Sequence, residues 1–182
     1  MSQGEEELWA PIRLRALHFR APRPFFAVPA GTCVSLVEDA ESCAEQLAAL
    51  LREEPEAVGL DTEWSDAGGT LALLQLASRT RCLLVRLPRL AAVPPALGEL
   101  LARERPVKCG VSIAQDLRLL QAQYGLPAGA GVVDLRAPAQ QLGHAEGGLG
   151  LAALCESLLG VPLCKAPQLR CSDWGGVLSA AQ

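Results

Sequence analysis

Val58-Gly-Leu-Asp-Thr-Glu-Trp64 is the most informative stretch of the chain, because two carboxylates stand two residues apart after an apolar start. As a β-strand, it directs Asp61 and Glu63 to one face, roughly 7 Å apart, and Leu60 and Thr62 to the other. Carboxylates held this close on a partly buried sheet repel each other and attract a cation. Oxygen ligands of this kind suit Mg²⁺ or Mn²⁺. For this motif taken alone, two solvated carboxylates at a strand end remain the alternative.

The flanking sequence alternates between the apolar periods of strands and helices. Strands are predicted at 32–37, 58–64, 71–78, 82–87 and 131–135, and the segment 107–113 begins as a strand and continues into a helix that ends at Tyr124. Further helices are predicted at 39–54, 94–104, 138–142 and 149–159. A first half rich in hairpins, followed by helices that alternate with strands, indicates an α/β fold with a mixed β-sheet flanked by helices.

A third carboxylate, Asp116, lies in the segment Gly110-Val-Ser-Ile-Ala-Gln-Asp-Leu117. Ser112 and Gln115 have the spacing of a capping box, which predicts that a helix begins here. Asp116 then lies in the first helical turn, beside the apolar stripe, from which its side chain leans toward the sheet. The alternative is a carboxylate that is favoured near a helix N-terminus only by the helix dipole.

Length and composition indicate one domain with an aliphatic core. The chain has 182 residues, of which 50% are hydrophobic and only 4% aromatic. The domain is predicted at 32–182, after a flexible arm at 1–31 whose prolines disfavour helix. The sequence has no apolar run long enough to span a bilayer, which predicts a soluble chain.

Charge and cysteine content restrict the function classes only loosely. The net charge of −4 does not by itself indicate a polyanionic partner, although bound divalent ions would supply part of a positive field. The seven cysteines show neither a C-x-x-C pair nor the spacing of a zinc site. An odd number without framework spacing favours a reducing, intracellular compartment, and nucleus, cytoplasm and mitochondrion all stay open.

A series of motifs resembles the DEDD superfamily of 3′–5′ exonucleases, in the branch of ribonuclease D and the Werner exonuclease. The matching stretches are Gly59-Leu-Asp-Thr-Glu-Trp64, Leu73-Leu-Gln-Leu-Ala77, Cys82-Leu-Leu-Val-Arg-Leu-Pro88, Lys108-Cys-Gly-Val111 with Asp116, Val133-Asp-Leu-Arg136, Gly150-Leu-Ala-Ala-Leu154, Val161-Pro-Leu-Cys-Lys165 and Arg170-Cys-Ser-Asp-Trp174. They occur in the family's order from about Val58 onward. An ordered series of this length is far more specific than any single motif.

The resemblance implies a ribonuclease H-like fold and two-metal-ion hydrolysis of DNA or RNA phosphodiester bonds from the 3′ end, with Mg²⁺ or Mn²⁺. In such a site Asp61 would bridge both ions and Glu63 would hold the first. Asp116 would bind the second, largely through water. These three residues are therefore the predicted catalytic and metal-binding residues.

Contacts to a single-stranded 3′ end are predicted for Trp64, Lys165 and Arg170. Trp174 is either a further contact or an anchor in the core. In both cases the partner that the resemblance implies is nucleic acid.

The family's third motif, a Tyr (or His) followed four residues later by Asp on a final helix, is not found in the sequence. It normally follows a Leu-Ser-x-x-Gln segment, and Leu178-Ser-Ala-Ala-Gln182 are the last residues given. The expectation is therefore a fold that lacks its C-terminal helix. Two explanations stay open: a truncated sequence, or a catalytically inactive module that binds nucleic acid or serves as a scaffold.

Overall fold

A computed structural model describes residues 23–65, 69–166 and 173–176. The strands are β1 (Cys33–Val37), β2 (Ala57–Trp64), β3 (Leu71–Ala77), β4 (Arg81–Arg86), β5 (Val107–Gly110) and β6 (Val132–Asp134). The helices are α1 (Ala40–Leu51), α2 (Pro95–Ala102), α3 (Ile113–Tyr124), α4 (Arg136–Gln141) and α5 (Leu151–Leu159), with a 3₁₀ turn at Leu87–Arg89. Each predicted strand and helix is present, with its ends shifted by a few residues.

The strands form one mixed sheet in the order β1-β4-β3-β2-β5-β6. Strands β2, β3 and β4 are antiparallel neighbours, which confirms the hairpin-rich first half. Strand β1 pairs parallel with β4, β5 parallel with β2, and β6 parallel with β5. The predicted mixed sheet flanked by helices is therefore confirmed.

The core lies between one face of the sheet and helices α1, α2 and α3. It is aliphatic, as the composition predicts, because alternate residues of the strands and one stripe of each helix point into it. Its fully buried members include Val58, Leu74, Leu76, Leu83, Val85, Leu47, Leu50, Leu97, Leu101 and Leu120. This packing fixes which face of β2 is left for polar side chains.

One local expectation is wrong: Ser112 does not form a capping box. Its backbone has the left-handed φ of 63°, and its side chain makes no hydrogen bond to the helix start. Instead the amide of Gln115 donates to the Ser112 carbonyl at 2.8 Å. The left-handed residue allows the chain to turn sharply from β5 into α3.

The described part of the predicted N-terminal arm, residues 23–31, is exposed and contains no helix or strand. It is nevertheless held at two points. Arg23 pairs with Glu156 of α5, and the amide of Phe26 donates to the carbonyl of Pro162 at 2.8 Å. Among the helices that the structure describes, none has the length and apolar character needed to cross a membrane.

Candidate metal centre

The carboxylates of β2 lie beyond the point where this strand stops pairing with β5. Pairing between β2 and β5 extends only as far as Gly59 and Cys109. At Gly110 a Cβ atom would overlap the carbonyl oxygen of Leu60, so the close approach of the two strands there requires glycine. From Asp61 onward, this edge of β2 therefore faces the start of α3 instead of another strand.

Alternation along β2 places its polar residues as the sequence predicted. Asp61 and Glu63 are partly exposed on one face, whereas Val58, Leu60 and Thr62 are buried on the other. The backbone amide of Thr62 donates to Asp61 Oδ1 at 3.0 Å. This bond orients the first carboxylate on the strand.

Asp116 reaches the same region from the first turn of α3. This residue is only 9% exposed, and its Oδ1 accepts a hydrogen bond of 2.6 Å from Thr62 Oγ1. The expectation that Asp116 leans toward the sheet is thus confirmed. The contribution of Thr62 was not foreseen, because its side chain points away from Asp61 and Glu63.

Each of the three carboxyl groups has a raised pKa. Burial is the main cause for Asp61, whose pKa rises to about 6, and the charge of Asp116 adds to it while the Thr62 amide opposes it. The pKa of Glu63 rises to about 7, mainly through burial and then through the charges of Asp61 and Asp116. Burial raises the pKa of Asp116, although the hydrogen bond from Thr62 acts to lower it. The charges that act on Asp61 and Glu63 are thus all negative.

This donor set fits divalent cations in its chemistry. Carboxylate oxygens match Mg²⁺ or Mn²⁺ better than zinc or copper. A cation would also offset the cost of burying these charges and the repulsion that Asp116 exerts on Asp61 and Glu63. Convergence is incomplete, however: among the residues that the structure describes, no three His, Cys, Asp or Glu side chains are grouped closely enough to hold one ion.

A cavity of about 350 Å³ adjoins Asp61 on the face of the sheet opposite the core. Its walls come from β2, β3, β4, β5 and the start of α5, and include Gln75, Ala77, Cys82, Cys109 and Leu151. Gln75 is the cross-strand neighbour of Asp61. The sequence signal for it is a single polar residue inside the apolar strand Leu71–Ala77, which belongs to a matching motif but was given no role in the site.

The end of α3 fixes the connection between β2 and β3. The side chain of Gln123 accepts from the Leu71 amide at 2.8 Å and donates to the Gly69 carbonyl at 3.0 Å. The Tyr124 hydroxyl donates to the Leu71 carbonyl at 2.7 Å. One helix therefore carries Asp116 at its start and holds the segment after Glu63 at its end.

The predicted nucleic-acid contacts have different environments. Trp64 is 37% exposed beside an irregularity in the pairing of β2 and β3, and Lys165 is exposed. Arg170 lies outside the described residues. Trp174 is only 8% exposed and packs on Ala72 and Leu73, which identifies it as an anchor in the core rather than a surface contact.

Arg86 holds the short segment around Trp174 against the sheet. Its guanidinium pairs with Glu38 at 2.9 Å and donates to the backbone carbonyls of Gly175, at 2.8 Å, and Gly176. Because a Cβ atom on Gly175 would touch the Ser65 side chain, this segment lies next to the end of β2. It therefore borders the carboxylate site.

Comparison with known proteins gives consistent matches. The family model described as 3′–5′ exonuclease matches residues 35–181. Exonuclease 3′–5′ domain-containing protein 2 of Homo sapiens is 37% identical over 186 residues, which cover 94% of this chain and 29% of that protein. The Mus musculus protein of the same name is 36% identical over 184 residues, with coverages of 91% and 28%. The chain thus spans less than a third of the length of these relatives.

Solved structures agree with these matches. A crystal structure of the EXD2 exonuclease domain soaked in Mn and GMP is 37% identical, with a TM-score of 0.54 and coverage of 82% of this chain and 79% of that one. The same domain soaked in Mn and Mg is 36% identical, with the same TM-score and coverages. The mixed sheet described above is accordingly of the ribonuclease H-like type that the motifs implied.

Proposed function

This chain belongs to the 3′–5′ exonuclease family, and from that premise we propose that it contributes Asp61, Glu63 and Asp116 to a site that hydrolyses phosphodiester bonds of DNA or RNA from the 3′ end. The observation that carries the proposal is the placement of Asp61 and Glu63 on the partly exposed face of β2, at the edge where its pairing with β5 ends, with Asp116 bound to Thr62 between them. Structural carboxylates are often paired with a base, whereas none of the ion pairs among the described residues involves Asp61, Glu63 or Asp116.

The cofactors we propose are two Mg²⁺ or Mn²⁺ ions. Asp61 and Glu63 would hold them directly, and Asp116 would act on the second ion largely through water. Bound there, such ions lower the pKa of water and stabilise the charge on the departing 3′ oxygen. The crystal structures of the related domain soaked in Mn and Mg support this choice of metals.

The protein's own side chains would align the strand. Trp64 is exposed at the end of β2, directly after Glu63, and offers an aromatic surface on which a nucleobase can stack. Lys165 is exposed and would neutralise a backbone phosphate, and we assign the same role to Arg170. The partner is therefore the single-stranded 3′ end of a nucleic acid.

A second candidate function is binding without cleavage. It is favoured by the incomplete convergence of the carboxylates in the described part of the chain. In this alternative, the strand would still bind through aromatic and basic side chains, and its affinity would fall with rising salt.

The test is a degradation assay with Mn²⁺ on a 3′-labelled single strand. It uses the 182-residue chain and a chimera that continues after Gln182 with the corresponding segment of the human relative. The proposal predicts strand shortening by the chimera, reduced by roughly 100-fold or more in Asp61→Ala, because the residues of such a site act as a unit. An unchanged rate in Asp61→Ala would refute the site assignment. Salt-dependent binding by both proteins without any cleavage would establish the second candidate instead.

A further inference from the structure

Thr62 departs from the pattern of its own strand face. The other core-facing residues of β2, Val58 and Leu60, are apolar, and valine in place of Thr62 would continue that pattern with nearly the same shape. Thr62 is itself only 5% exposed. A buried hydroxyl is unfavourable unless it is hydrogen-bonded, so its retention requires a partner.

That partner is Asp116, 54 residues away in sequence. The distance of 2.6 Å from Thr62 Oγ1 to Asp116 Oδ1 is in the range of a short charge-assisted bond between a hydroxyl and a carboxylate. Such bonds are roughly twice as strong as neutral ones. Among the ion pairs that the described residues form, none involves Asp116.

The bond gives the Asp116 side chain a fixed orientation. A carboxylate on the first turn of a helix has several rotamers, and the bond to Thr62 Oγ1 selects one of them. A hydroxyl fixed on the strand between Asp61 and Glu63 ties Asp116 to the backbone that carries both other carboxylates.

We propose that Thr62 is a positioning residue for the metal centre: its hydroxyl holds one carboxylate oxygen of Asp116 and thereby orients the other toward the second ion or its water. This inference rests on the proposed function, because it assumes that the three carboxylates serve one centre. The role is distinct from simple packing between β2 and α3, which a valine would also provide.

The experiment measures Mn²⁺ binding to the 182-residue chain by calorimetry, at fixed pH, for the wild type and for Thr62→Val, Thr62→Ser and Asp61→Asn. Loss of a group that orients a metal ligand typically weakens binding by about 10- to 100-fold. We therefore expect Thr62→Val to weaken the lower-affinity Mn²⁺ site by about 10-fold or more. Thr62→Ser keeps the hydroxyl and should stay within about threefold of the wild type. If Thr62→Val does not fold, Thr62→Ala removes the hydroxyl without adding volume.

A double-mutant cycle with Asp116→Ala separates positioning from packing. If Thr62 acts through Asp116, adding Thr62→Val to Asp116→Ala, which removes the acceptor, should change Mn²⁺ affinity by less than about twofold. Wild-type affinity in Thr62→Val, or a loss in Thr62→Ser as large as in Thr62→Val, would overturn this proposal alone. Failure of the wild type to bind Mn²⁺, or full binding by Asp61→Asn, would overturn the proposed metal centre and this inference with it.

Discussion

Replacing Asp61 by Asn is expected to stabilise the metal-free protein, although it removes a metal ligand. The carboxyl group is partly buried, and its pKa rises from the ordinary value of 3.8 to about 6, mainly through burial and then through the charge of Asp116. A folded-state pKa above the unfolded-state value means that the folded protein favours the protonated form. The resulting stabilisation is fully present below about pH 4 and is lost as the pH rises through about 6. At pH 8 the folded protein therefore carries an unfavourable charge.

The size of the effect follows from the same values. A rise from 3.8 to about 6 corresponds to about 3 kcal/mol against the charged form. Because the side chain is not fully buried, solvent screening reduces this to about 1–2 kcal/mol. Asn has nearly the same shape, and its side-chain carbonyl can still accept from the Thr62 amide. The Asp61→Asn protein should consequently be about 1–2 kcal/mol more stable than the wild type at pH 8 without metal.

Urea unfolding at pH 8 measures this difference, first with EDTA and then with saturating Mn²⁺. Metal binds the folded state and should raise the stability of the wild type but not that of Asp61→Asn. Glu45→Gln, which removes an exposed carboxylate on α1, is the matched control and should change neither value. Two outcomes would contradict this expectation: lower stability of Asp61→Asn than of the wild type in EDTA, or equal stabilisation of both proteins by Mn²⁺.

Three further predictions concern Glu63, Gly110 and the two tryptophans. The pKa of Glu63 rises from 4.5 to about 7, so metal-free wild-type protein should lose stability as the pH increases from about 5 to 8. Urea unfolding should show a flatter pH dependence for Glu63→Gln. A wild-type protein that gains stability over this range would contradict the prediction. Gly110→Ala should lower the free energy of unfolding by roughly 1–3 kcal/mol in thermal unfolding, because the new Cβ overlaps the backbone. As a control, Gly98→Ala in α2 makes only ordinary contacts and should be neutral or stabilising. Equal effects of the two substitutions would count against the strand geometry. Trp174→Ala should cost about 3 kcal/mol of folding stability. Trp64→Ala should leave stability nearly unchanged and weaken single-strand binding by about 1–3 kcal/mol. A loss of stability in Trp64→Ala and of binding in Trp174→Ala would show that the two roles are exchanged.

The parts of the fold that could be predicted are those that local periodicity determines. Alternation along 58–64 assigned Asp61 and Glu63 to one face, and the apolar stripe of α3 placed Asp116 at its flank; the structure bears out both placements. The capping box at Ser112 failed because the spacing of side chains does not report backbone φ, and a left-handed residue was needed to leave β5.

Features that depend on strand register or on contacts distant in sequence were not predictable from the motifs. Thr62 looked like a core residue, and only the packing of α3 reveals its bond to Asp116. Gln75 acquires its place beside Asp61 from the register between β2 and β3. Likewise, the buried environment of Trp174 depends on strand β3, about 100 residues earlier in the chain.

The most direct test of the central claim, that Asp61, Glu63 and Asp116 form one metal centre, is a crystal structure of this chain soaked in Mn²⁺ with anomalous diffraction. We expect an anomalous peak within about 2.0–2.4 Å of carboxylate oxygens of Asp61 and Glu63, at the edge of β2 where its pairing with β5 has ended. Strong Mn²⁺ peaks elsewhere, for example at the acidic end of α1 near Glu53 and Glu56, with none at Asp61, would contradict it.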